Sequence, residues 1–305
     1  MHKKEYFYND DSGDAQVIVY HLFPGVEVAY VSVHMADFDF SLFKEEERKN
    51  YVTIHYCRDG RIEQEVNQEF FYLMPGDCSI AVQEKRQKMF QLPLKHYHGI
   101  SIGIDLDASD NPLLKYLESC DCAPLEALQH ICGGMSHIVL RSSEIAKKFF
   151  EELYEVEVEQ REDFLRVKMP ELFYRMKHAK TENSYYDRSL VPRTQVEIVK
   201  SVSNYIAENL NEKITLKQLT TKYGVSDTYL QNAFRSVYGM PVISFIRAQK
   251  MQSAAKVLIH TNRTIEEIAE EFGYENESKF SAAFKKIMGD TPGVYRKEHS
   301  KIIII

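Results

Sequence analysis

The sequence predicts an α+β chain of two domains, and three observations carry that expectation. Its 305 residues are twice the ~150 of an average domain. Short β-rich segments fill the first third, whereas helical periodicity fills the remainder. The charge also divides unevenly: residues 1–192 hold 22 Lys and Arg against 33 Asp and Glu, and residues 193–300 hold 15 against 12. The overall charge of −7 therefore hides a basic C-terminal part, so the two parts are expected to face different partners. A composition 44% hydrophobic and 27% charged excludes a disordered or collagenous chain. No apolar run approaches the ~20 residues of a membrane span, and the polar, acidic start lacks the pattern of a secretory signal. A cytoplasmic protein without membrane contact is expected.

Strands are expected at 16–20, 26–33, 51–58, 70–73, 78–83 and 97–104, each rich in Val, Ile, Tyr and Phe. Phe23-Pro24-Gly25, Asp59-Gly60 and Pro75-Gly76-Asp77 supply the turns between them. Strands of this length and spacing suggest a sandwich or small barrel over 1–110. Helical spacing begins after Asn111-Pro112, Pro124 opens a second helix, and Gly133-Gly134 ends it. A longer helical stretch over 142–178 has more apolar positions than one buried stripe needs, with a break expected near Pro170. Residues 111–180 are accordingly assigned to dimerisation, and the polar run leading to Pro192 makes 181–192 the linker.

The C-terminal part is more regular. An amphipathic helix around 198–210 precedes Thr215-Leu216-Lys217-Gln218, a capping box that opens a second helix. Gly224 then turns the chain, and Ser226 caps a helix over 227–237. After a long helix over 242–260 the pattern returns: Thr264-Ile265-Glu266-Glu267 is another capping box, Gly273 turns, and Asn276 or Glu277 begins a helix. Leu219 aligns with Ile268, Gly224 with Gly273, Leu230 with Phe280 and Phe234 with Phe284, with one extra residue in the second turn. Each unit is helix, short glycine turn, helix. In such a unit the first helix braces on a DNA backbone and the second projects polar side chains into the major groove. A 242–260 helix of ~28 Å is the right order to hold two recognition helices about one DNA turn apart.

These residues resemble the DNA-binding domain of the AraC/XylS family of bacterial transcription regulators. The resemblance covers 193–300 and rests on Leu219, Gly224-Val225-Ser226, Tyr229-Leu230, Phe234-Arg235, Tyr238-Gly239-Met240, Ile268-Ala269, Phe272-Gly273-Tyr274, Ser278, Phe280, Phe284-Lys285-Lys286, Gly289, Thr291-Pro292 and Tyr295-Arg296. It implies an all-α domain of two helix-turn-helix units joined by a long helix. It also implies a cupin-like N-terminal domain that senses a small-molecule effector. The expected function is an effector-controlled transcription regulator, an activator that binds double-stranded DNA as a homodimer and engages RNA polymerase. No catalytic motif and no cofactor is expected.

Thr228, Gln231 and Asn232 are assigned to base contact, Arg235, Lys285 and Lys286 to phosphate contact, and Lys279 and Ser281 to the second unit's reading. Asn232 stands where the family frequently has Arg, favouring adenine, and Ala282 where it often has Arg, which weakens base reading by the second helix. Phe234, Phe284 and Tyr295 are expected in the core. Two readings from other classes stay open: a cupin-type metalloenzyme with ligands among His55, Cys57, Glu63, His96 and His98, and a sensor of a protein partner. The odd set Cys57, Cys78, Cys120, Cys122 and Cys132 lacks a disulfide spacing and is read as reduced thiols. The effector's own contacts are not legible in the sequence.

Overall fold

A computed structural model describes residues 3–10, 13–39, 51–66, 69–83, 89–108, 110–132, 137–178 and 190–299. The 180–189 run, the Gly133-Gly134 break and the 302–305 tail lie outside these residues. The chain forms two compact units that meet at residues 190 and 191.

The first unit opens with strands β1 (Lys3–Asp10), β2 (Gly13–Phe23), β3 (Val26–His34), β4 (Asp37–Asp39), β5 (Tyr51–Gly60), β6 (Ile62–Val66), β7 (Glu69–Leu73), β8 (Cys78–Gln83), β9 (Met89–Gln91) and β10 (Tyr97–Asp105). Helices α1 (Pro112–Ser119) and α2 (Pro124–Cys132), strand β11 (His137–Leu140), and helices α3 (Glu144–Glu155) and α4 (Arg161–Lys177) follow. One antiparallel sheet runs β1-β2-β3-β10-β5-β8-β11, and a second runs β7-β6-β9-β4. The period of two along a strand gives the first sheet two buried faces. Val17, Val19, Val31 and Val33 point toward Ile62, Phe71, Leu73 and Phe90 of the second sheet. Their neighbours Tyr20, Val28, Tyr30, Ile54 and Tyr56 pack instead with residues of α1 to α4. The unit is thus a two-sheet sandwich with helices laid on one outer face.

The helices follow from their caps. Asn111 is fully buried and its Oδ1 accepts from Leu113 N at 2.9 Å, and Ser143 accepts from Ala146 N. The break in the 142–178 stretch falls at 156–160 rather than at Pro170. Val156 is extended (φ −84°, ψ 135°), and a single 3-10 turn, Val158–Gln160, leads into α4, which runs through Pro170. Leu165, Met169, Leu172, Phe173 and Met176 are all buried on that helix, and their packing outweighs the one backbone donor that proline lacks. Buried Lys168 bonds Glu152 at 2.6 Å and pairs with Glu171, which ties α4 to α3.

Asp77, at the turn the sequence marks, has no exposed surface. It accepts from Met74 N at 2.9 Å and Ser142 N at 3.1 Å and pairs with Arg141, joining the β7–β8 turn to the start of α3.

The second unit consists of α5 (Arg193–Glu208), α6 (Leu216–Tyr223), α7 (Asp227–Tyr238), α8 (Val242–His260), α9 (Ile265–Glu271), α10 (Glu277–Met288) and α11 (Pro292–His299). The N-terminal part of α8 packs Phe245 on Phe234 and Tyr238, with ring centroids 5.4 and 4.2 Å apart. Farther along, Met251, Ala254, Ala255 and Leu258 share a core with Ile268, Phe272, Phe280 and Phe284. Lys250 sits where the two cores meet. Its Nζ donates to Glu212 O at 2.9 Å and Phe272 O at 2.8 Å, and burial lowers its pKa. Arg296 of α11 closes the far end of α8, its Nε donating to Leu258 O at 3.0 Å.

Three outcomes are expected of unfolding experiments followed by circular dichroism. Asp77→Ala leaves Arg141 without its buried partner and should cost the first unit ~3–5 kcal/mol in urea. Lys250→Met strands two carbonyls and should cost the second unit ~1–3 kcal/mol for each left unsatisfied. Burial, aided by His137, holds His55 down at about 4 from its ordinary 6.5. The unfolded chain therefore takes up the proton first as pH falls, so stability present above pH 6.5 should drain away toward pH 4. His55→Gln should flatten that slope.

Candidate nucleic-acid interface

Each helix-turn-helix unit is assembled by local chemistry. Thr215 and Gln218 close a reciprocal capping box at α6, the side chain of each bonding the other's backbone N–H. Gly224 ends α6 in the left-handed region (φ 66°, ψ 31°), a conformation a Cβ would strain. Ser226 Oγ then accepts from Tyr229 N at 3.1 Å and starts α7. In the second unit Thr264 and Glu267 form the box, and the backbone bond from Thr264 holds the Glu267 carboxyl below its usual range. Gly273 (φ 76°) turns the chain, and Asn276 Oδ1 accepts from Lys279 N at 2.9 Å. The extra residue in the second turn is present.

The inner face of α7 is Leu230, Ala233, Phe234, Val237 and Tyr238, all buried; that of α10 is Phe280 and Phe284. Tyr295, expected in the core, is half-buried and packs edge-on against Phe284 at 5.4 Å. The outer face of α7 exposes Thr228, Asn232 and Arg235, and that of α10 exposes Lys279, Ala282, Lys285 and Lys286. Arg235 Nη1 donates to Asn232 Oδ1 at 3.1 Å, which places an arginine beside the asparagine. That oxygen keeps a second lone pair for a base donor.

Other residues are placed differently from the sequence reading. Tyr229 lies exposed on the outer side of α7 because Leu230 and Ala233 already fill the inner one. Gln231 is half-buried and its Oε1 accepts from Val242 N at 3.3 Å, so its amide caps the first turn of α8 rather than standing free for a base edge. Ser281 is half-buried. Lys279 pairs at 2.9 Å with Glu275, which lies just before α10; both side chains are exposed, so the contact is weak and easily exchanged for a phosphate.

The bracing helices differ in sign. Lys217 and Lys222 are exposed on α6, and Lys213 precedes it. Glu266, Glu267 and Glu270 are exposed on α9, and Glu271 pairs with Arg263. These lysines lie outside the second helices, to which sequence alone assigns the DNA contacts.

The first unit does not gather the candidate metal ligands. His55 rests edge-on against Phe90 at 6.0 Å, Cys57 Sγ lies 3.7 Å from the carbonyls of Asp59 and Gly60, and Glu63 accepts from Tyr72 Oη at 2.7 Å. His96 faces Asp59 at 3.6 Å, and His98 meets His34 with their Nε2 atoms 3.2 Å apart. Among the described residues no group of three or more His, Cys, Asp or Glu side chains is placed to hold a metal ion. Burial raises the thiol pKa of Cys57, Cys78, Cys122 and Cys132, and Cys120 is exposed. No helix among the described residues is long and apolar enough to cross a membrane.

A helix-turn-helix domain model matches residues 219–298. The Transposon Tn10 TetD protein of Escherichia coli is 32% identical over 124 residues, 41% of this chain and 87% of TetD. The HTH-type transcriptional activator AarP of Providencia stuartii is 30% identical over 102 residues, 33% of this chain and 76% of AarP. The F1 operon positive regulatory protein of Yersinia pestis is 40% identical over 99 residues, 32% of this chain and a third of the relative's own length. Paired capping-box units on one shared helix, together with a relative matched over most of its length, establish that the chain belongs to the AraC/XylS family of transcription regulators.

Proposed function

We propose that this protein binds double-stranded DNA through α7 and α10, set in successive major grooves, and regulates transcription under the control of a small-molecule effector held by the first unit. The carrying observation is that two helix-turn-helix units share α8 as a common core element and that each turns a polar outer face to solvent. Activation, through contact with RNA polymerase, is the favoured sense. The F1 operon regulator is a positive regulator and AarP an activator by name, and they are 40% and 30% identical to this chain over 99 and 102 residues.

The first helix-turn-helix is the stricter reader. Asn232 and Arg235 form a joint polar surface on α7, and α6 brings Lys217 and Lys222 toward the phosphates. Acidic α9 opposes the backbone, and Ala282 offers no base contact on α10. A homodimer through α4 fits the first unit. Most apolar residues of α3 and α4 are spent on the unit's own core, yet Val167 is 72% and Tyr174 60% exposed, seven residues apart on one face.

Binding selection and salt titration on the full chain test the DNA reading. Asn232→Ala should cost ~1–3 kcal/mol at its base and relax the preference there, whereas Lys285→Ala and Lys217→Ala should weaken all sequences evenly and lower the salt slope by ~1 each. A selected site defined more sharply under α10 than under α7 contradicts the division of labour. Sedimentation equilibrium tests the dimer: Val167→Glu with Tyr174→Glu should shift the full chain to monomer, and an unaltered mass rejects α4 as the contact.

A further inference from the structure

The outer face of the first sheet changes character along its length. One cross-strand row is Ile18, Tyr30, Ile100 and Tyr56, which lies under the helices. The next is polar: Gln16 is opposite Ser32, Ser32 opposite His98, and His98 opposite Asp59. Directly paired residues share a face, so four hydrogen-bonding side chains stand in a line where the helices end. A β-bulge between His98 and Gly99 inserts Arg58 beside this row. The result is a cleft of about 440 Å³ roofed on one side by Tyr154 of α3. That volume lies within the ~300–1,000 Å³ range of small-molecule sites.

Two groups in the cleft have unused hydrogen-bonding capacity. The Arg58 guanidinium lies 4.0 Å from the centre of the Tyr154 ring, and its Nε faces Glu151 at 3.6 Å. Among the described residues its terminal nitrogens make no hydrogen bond. Tyr154 Oη is buried and has no hydrogen-bond partner among them either. A buried hydroxyl without a partner costs free energy, and an arginine fixed by stacking presents its paired donors in the geometry that suits a carboxylate. His98 adds no positive charge at neutral pH, since burial and then His34 lower its pKa. Asp59, on the rim, faces His96.

We propose that this cleft is the effector site and that it takes a small organic monocarboxylate: Arg58 and Tyr154 Oη receive the carboxylate, while Ile18 and the Tyr30 ring support an apolar body. The assignment rests on the effector-controlled reading above and adds to it the place and chemistry of the ligand. Because Arg58 belongs to β5 and Tyr154 to α3, a bound carboxylate ties that helix to the sheet. Lys168 carries the restraint on to α4.

Benzoate and hexanoate, each against its uncharged amide, are the probes, titrated calorimetrically into the full-length protein with DNA affinity measured in parallel. The carboxylates should saturate, and the amides should bind at least tenfold more weakly. Arg58→Gln should lower carboxylate affinity tenfold or more, and Tyr154→Phe, which keeps the ring beneath the guanidinium, should lower it about threefold to tenfold. Circular dichroism verifies that each variant is folded. Equal binding of amides, undiminished affinity in folded Arg58→Gln and Tyr154→Phe, or no saturation below ~10 mM overturns the assignment. Carboxylate binding with unchanged DNA affinity supports the site and rejects effector control; failed binding with DNA affinity intact rejects the site and leaves DNA recognition standing.

Discussion

Helix α8 carries two hydrophobic cores along one cylinder, and the second unit depends on that sharing. Neither helix-turn-helix unit has enough apolar surface to stand alone: α9 has seven residues, α6 eight, and each buries only two side chains. Such short helices are marginal in water without tertiary packing. Phe245 completes the first core and Met251 to Leu258 the second, so the angle between α7 and α10 is fixed by one rigid element. Lys250 joins the two by binding a carbonyl after α5 and another at the end of α9. A cation there is costly to bury, yet it satisfies both carbonyls at once and places the cores in register.

The first unit applies a related constraint to a sheet. Both faces of the large sheet are covered, one by a second sheet and one by α1 to α4, so a movement of the helices is felt across the strands beneath them. The edge strand β1 and the end row of polar side chains escape that packing. Ion pairs secure the joints: Asp77 with Arg141 at the start of α3, and Lys168 with two glutamates between α3 and α4. Val167 and Tyr174 of α4 stand outside this packing, exposed to solvent.

Where local chemistry decides the structure, the sequence was readable. Both capping boxes, Gly224, Gly273 and the extra residue in the second turn follow from side chains and glycines acting on their own backbone, and the extent of α8 follows from its helical spacing. Long-range balances were less legible. Pro170 reads as a helix break, but buried neighbours carry α4 through it, and the chain parts instead at extended Val156. β1 was missed because its surface is mostly polar and exposed, which is how an edge strand avoids pairing with other chains. Short β4, β6, β9 and β11 carry too few residues for alternation to register. Gln231 looks like a base reader on a helical wheel, and only the tertiary position of α8 shows what its amide bonds. Arg58 is one charge among many until the bulge at His98 sets it beside Tyr154.

Rigid spacing of two reading helices by α8 makes the most direct claim about function. A hydroxyl-radical footprint of the protein on its selected site measures that spacing. Each chain should protect two adjacent segments on one face of the duplex, ~10 base pairs apart, under α7 and α10. Protection of a single segment per chain, or of two whose separation varies from site to site, would contradict the account.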